Sequence, residues 1–132
     1  MRRVAAILAV AALALPACAA AEGSDVRTVV LDVHHSRFSR AELDVSVGEA
    51  VRFVVRNRDP IAHELIVGDT AVQDVHERGN EAHHADRPGE VSVAPGARAE
   101  TTYTFRTPGR LWFGCHLPGH WAYGMQGVIS VR

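Results

Sequence analysis

"RLWFGCHLPGHWAYGMQGVISVR", residues 110–132, ends the 132-residue chain and governs how the rest of it is read. Leu111-Trp112-Phe113 is an aromatic run, and Gly127-Val128-Ile129-Ser130-Val131 is rich in β-branched residues, so each reads as a strand. Pro118-Gly119 between them marks a turn. The stretch is therefore strand, loop, strand, and the loop gathers Cys115, His116, His120 and Met125.

Upstream the same strand-and-turn character recurs. "VRTVVLDVHH" (26–35) reads as a first strand, and "AELDVSVGEAVRFVVRN" (41–57) as two strands split at Gly48-Glu49. In the second of these, Val51, Phe53 and Val55 fall on one face and Arg52 and Arg56 on the other. "AHELIVG" (62–68) is another strand, and residues 89–115 hold three more, with turns at Pro95-Gly96 and Pro108-Gly109. Seven or so short strands without a long helical period predict an all-β, antiparallel β-sandwich. One short helix or loop insert at about 69–89, polar and acidic, interrupts the pattern.

The N-terminus reads as an export signal. Arg2 and Arg3 precede an apolar run, Val4 to Leu15, that is shorter than the ~20 residues a membrane-spanning helix needs. Leu15-Pro16-Ala17-Cys18 resembles a bacterial lipoprotein box, which makes Cys18 a candidate lipidation site; ordinary cleavage after Ala19-Ala20-Ala21 is the alternative. The expected organisation is a signal peptide over 1–18 (or 1–21), a tether over 19–25 and one domain over 26–132. Removing Arg2 and Arg3 takes the formal charge from −1 to −3, so no basic field attracts nucleic acid. All 14 basic side chains are arginine, which is a matter of composition rather than of function.

Only two cysteines are present. Exported cysteines are usually paired, yet Cys18 lies in the leader, and Cys115 is left without a partner. A bound metal would hold such a thiol. Cys115, His120 and Met125 are spaced C-x4-H-x4-M and offer thiolate, imidazole and thioether. Soft sulfur donors select copper, and two histidines, a cysteine and a weak axial methionine make a blue-copper electron-transfer site. His116 follows Cys115 directly, so the two side chains point to opposite faces of a strand and cannot easily serve one ion. The second histidine must come from elsewhere. His63, after the polar turn Asn57-Arg58-Asp59-Pro60 and at the head of a strand, is the best candidate.

With these residues in view the chain resembles the small cupredoxins of the plastocyanin, azurin and rusticyanin group, over about residues 40–68 and 91–132. The resemblance implies a Greek-key β-sandwich with one type 1 copper at one end. It also implies His63, Cys115 and His120 as equatorial ligands and Met125 as the axial one. Glu64 departs from the asparagine that commonly follows the first histidine and braces the site, which bears on potential and colour. "C-H-L-x-x-H-x-x-x-G-M" also looks like the last copper motif of multicopper oxidases, but no H-x-H pair is present to build their trinuclear cluster. A Cys-His pair bridges two coppers in nitrite reductases, so an oxidoreductase subunit using His116 is a third alternative.

Three further groups carry two readings each. His76, His83 and His84, with Glu77, Glu81 and Asp86, are either solvated loop side chains or a second, labile Cu(II) or Zn(II) site. Leu117, Pro118 and Trp121 are either core or an apolar rim around His120 where a redox partner docks. Trp112 and Phe113 read as packing residues. The expected protein is an extracytoplasmic, lipid-anchored monomer that exchanges one electron with a redox partner and is not an enzyme. Its alternative is a copper-binding protein for buffering or delivery.

Overall fold

The computed structural model describes residues 26–79 and 87–132. Eight strands and one helix follow in order: β1 (Arg27–Val33), β2 (Glu42–Val45), β3 (Ala50–Asn57), β4 (His63–Gly68), α1 (Thr70–Arg78), β5 (Glu90–Val93), β6 (Arg98–Thr104), β7 (Gly109–Gly114) and β8 (Gln126–Val131). They form a three-stranded sheet in the order β1-β3-β6 and a five-stranded sheet in the order β2-β8-β7-β4-β5. The two sheets face each other as the expected sandwich.

Antiparallel pairing does not hold throughout, and this amends the expectation. β1 runs parallel to β3, and β2 parallel to β8. The reason lies in the connections. The chain leaves β1 in one sheet, enters β2 in the other and returns to β3 beside β1. Such a return brings two strands together in the same direction, which a tight hairpin cannot do. The remaining pairings are antiparallel.

Side-chain alternation places the core between the sheets. Val29, Leu31 and Val33 of β1 and Val51, Phe53 and Val55 of β3 meet Leu65 and Val67 of β4, Phe113 of β7 and Ile129 and Val131 of β8. Arg52 and Arg56 face outward from β3, as their alternation requires. Phe53 and Phe105 pack edge to face, as do Phe38 and Phe113.

All six residues of β4 are buried, because both of its faces are covered. One face turns to the core and the other lies under α1. The helix starts where Asp69 accepts a hydrogen bond from the Val72 N–H, at 3.0 Å. It packs so closely that a Cβ on Gly68 would lie 2.6 Å from Val72 Cβ. The Gln73 amide fixes its underside by donating to the carbonyls of Ile66, Gly68 and Trp112, at 3.2–3.4 Å. The insert expected at 69–89 therefore contains one short helix, and that helix covers the strands leading into the site. Among the described residues no helix is long and apolar enough to cross a membrane.

Candidate metal centre

The site lies at one end of the sandwich, where β4 begins and β7 ends. β7 delivers Cys115 and β8 starts just after Met125, so the two ends of the loop are neighbours. The Cys115 N–H bonds to the Met125 carbonyl at 3.1 Å and closes it. Within the loop, the His120 N–H bonds to the Leu117 carbonyl and the Met125 N–H to that of His120. These bonds fold the loop inward, and Cys115 Sγ comes to lie 3.2 Å from His120 Nδ1.

His63 arrives from β4, the strand paired with β7 in the same sheet. Its ring centroid lies 5.0 Å from that of His120. One ligand atom from each of His63, Cys115 and His120 falls within 4.8 Å of the others, the only such group of His, Cys, Asp or Glu among the described residues. Cys115 and Met125 have no solvent exposure, and His63 has 1%. His63 Nδ1 is buried without a hydrogen-bond partner. A polar atom left in that state costs about 1–3 kcal/mol, and a metal ion removes the cost. A buried free thiol and two imidazole nitrogens are donors that suit copper, and the same loop ends in the buried thioether of Met125.

Residues around these donors set their chemistry. Burial pushes the Cys115 thiol up to about 11, against backbone N–H groups of Leu117 and Glu64 that favour the thiolate. Burial likewise lowers His63, opposed by its hydrogen bond to Asp59. That bond runs from His63 Nε2 to Asp59 Oδ2 at 2.9 Å. Burial alone would raise the Asp59 carboxyl, but N–H groups of Ser36 and His35, together with His63, outweigh it and hold Asp59 below the usual carboxylate range.

The structure also shows what Glu64 does in place of asparagine. Its side chain is buried, and Oε1 accepts the His116 N–H at 2.8 Å, tying β4 to the residue after Cys115. The brace is retained with a different residue. His116, which like Cys115 lies just past the end of β7, turns its ring to α1. Its ring nitrogens reach Gln73 Oε1 and Glu77 Oε2, at 2.7 Å each, and its ring stacks on Trp121 at 4.7 Å.

Trp121 packs inward against Gly114, where a Cβ would lie 2.4 Å from the indole. Leu117 is partly buried against the core, and Pro118 is exposed beside the half-buried His120. His76 lies on α1 with Nδ1 2.8 Å from the Val72 carbonyl and Nε2 3.6 Å from Glu90. His83, His84 and Cys18 lie outside the described residues.

Asp59 is the residue that reading the sequence did not single out. The signal available was a carboxylate four residues before a candidate ligand, in a turn closed by proline. That signal is too common to select it.

The sandwich, the end-loop and the Cys–His–His cluster define a cupredoxin. Residues 26–132 match the family described as copper binding proteins, plastocyanin/azurin family, and the chain belongs to that family. Its cofactor is copper, and the cluster of His63, Cys115 and His120 is typical of a single type 1 site. Among similar proteins, the copper-resistant cuproprotein CopI of Rubrivivax gelatinosus is 40% identical over 121 residues, covering 89% of this chain and 72% of that protein. CopI of Pseudomonas aeruginosa is 30% identical over 150 residues, covering 89% and 81%. Of solved structures, auracyanin B superposes with a TM-score of 0.67 at 19% identity, covering 80% of this chain and 88% of that one. Reduced auracyanin of Roseiflexus castenholzii gives 0.67 at 23%, covering 80% and 96%. These structural likenesses concern the fold.

Proposed function

We propose that this chain is an extracytoplasmic one-electron copper protein that serves copper resistance, in which His63, Cys115, His120 and Met125 would hold the copper. The observation that carries it is the convergence of three donor atoms within 4.8 Å at one end of a rigid sandwich. Bound copper supplies a one-electron Cu(II)/Cu(I) couple. The chain's part is to hold the donors so that little moves when the charge changes. Hydrogen bonds at both ends of the loop fix Cys115 and His120, and Glu64 ties β4 to that loop. His120, half-buried beside exposed Pro118, is the side chain through which an electron enters and leaves. Leu117, Pro118 and Trp121 frame the docking surface of the redox partner, although Trp121 contributes chiefly by packing.

The name shared by the two CopI relatives supports the copper-resistance setting and favours a second reading, in which the chain buffers or delivers copper. Rapid reduction of the copper-loaded protein by a small one-electron donor separates the two. A carrier reduces and reoxidises repeatedly with copper retained in both states. Release of copper to a chelator on each reduction would overturn the carrier reading and leave copper handling. An oxidoreductase subunit would require His116 to bind a second metal, and both of its ring nitrogens are engaged by Gln73 and Glu77. Export, and lipid anchoring at Cys18, rest on the leader's sequence pattern; mass spectrometry of the mature N-terminus tests both.

A further inference from the structure

His63 is held from behind in a way that the backbone alone does not explain. Its Nε2 faces the carboxylate of Asp59, which is itself buried at 6% exposure. Burying a charge beside a metal ligand is costly unless the charge is well partnered, and here an elaborate seat exists for it. Asp59 Oδ1 accepts the His35 N–H at 2.7 Å, and Oδ2 accepts the Ser36 N–H at 2.8 Å. Successive backbone N–H groups turned to one side form an anion-binding concavity. To form it, His35 and Ser36 adopt φ of 51° and 53°, a left-handed conformation unfavourable for side chains other than glycine. Asn57 fixes the turn from the other side: its Oδ1 accepts the Asp59 N–H, and its amide donates to the carbonyls of Ile61 and Ala94. Three loops thus converge to place one carboxylate oxygen 2.9 Å from His63 Nε2.

The geometry points to Asp59 as a positioning residue of the copper centre. An ionised carboxylate only accepts hydrogen bonds, so Nε2 must carry the proton and the lone pair must sit on Nδ1. Nδ1 is the buried ring atom without a partner, and His63 is one of the three residues whose ligand atoms converge. Asp59 therefore selects the tautomer in which His63 can bind a metal. It also adds negative charge behind the imidazole and makes the nitrogen more basic. A more basic ligand favours Cu(II) over Cu(I), so Asp59 holds the potential down. This inference rests on the assignment of His63 as a ligand.

The test compares the wild-type protein with Asp59→Asn in Cu(II) affinity, Cu(I) affinity and midpoint potential. Outer partners of metal-binding histidines are typically worth about 10–100-fold in metal affinity. The expected result is a loss of that size for Cu(II) with a smaller loss for Cu(I). A tenfold difference between the two ions raises a one-electron potential by about 59 mV. An unchanged potential, or equal losses for both ions, would overturn the inference, because a purely structural brace weakens both states alike. Where Asp59→Asn fails to fold, nitrogen-15 NMR of the wild-type apoprotein decides: His63 protonated at Nε2 supports the inference, and His63 protonated at Nδ1 refutes it. A wild-type protein that shows no copper–thiolate band overturns the copper-centre assignment itself, which is a separate failure.

Discussion

Loading this site with copper must release a proton, and the structure says from where and over what pH range. Cys115 has no solvent exposure, and burial lifts its thiol from 9.0 to about 11 despite the opposing N–H groups of Leu117 and Glu64. The ligand form is the thiolate, so metal uptake displaces the thiol proton. At pH 9 a thiol of pKa about 11 is almost fully protonated and releases about one proton per copper, whereas a thiol left at 9.0 would release about half of one. Histidines ordinarily titrate near 6.5, well below that pH, so they do not confuse the count. The same shift links pH to the stability of the apoprotein. A thiol raised on folding gives the native state more bound protons than the unfolded chain between pH 9 and about 11, so stability falls as pH rises through that window. Two pKa units correspond to about 3 kcal/mol at its upper end. Proton release measured calorimetrically in buffers of different ionisation enthalpy checks the first quantity, and urea unfolding across the window checks the second. Half a proton per copper at pH 9, with apoprotein stability flat from pH 9 to 11, would refute the reasoning.

Two substitutions probe the supports of the loop. Gly114→Ala places a methyl 2.4 Å from the Trp121 ring and forces the indole off its seat, for about 1–3 kcal/mol of lost stability in denaturant unfolding. Glu64→Ala strips the His116 N–H of its acceptor and costs a further ~1–3 kcal/mol by the same assay. In the core, Phe113→Ala removes a side chain with 1% exposure and should cost about 3–5 kcal/mol.

How much of this was legible in the sequence follows from distance along the chain. Cys115, His120 and Met125 share one loop, so their spacing could be read directly, whereas the strand period invoked to part His116 from Cys115 does not apply, because β7 ends at Gly114. The alternation of Val51, Phe53 and Val55 likewise marked the inward face of β3. What the sequence concealed depends on contacts between distant segments. Glu64 meets His116 across 52 residues, and Asp59 meets His35 across 24. Neither pairing leaves a local pattern, because each joins loops that only the finished sandwich brings together. The parallel partners of β1 and β2 were hidden for a related reason: alternation marks which face of a strand is buried, not which neighbour it takes. α1 was half legible. Asp69 is a good N-cap residue, but nothing local shows that Gly68 lets the helix press onto β4.

The most direct test of the central claim is the visible and EPR spectrum of the purified protein after one equivalent of Cu(II), beside that of Cys115→Ser. The account predicts an intense thiolate-to-copper band, with the narrowed copper hyperfine splitting of a covalent Cu–S bond, and loss of both in the serine variant. A pale spectrum with wide splitting, unchanged by Cys115→Ser, would place the copper elsewhere and contradict the account.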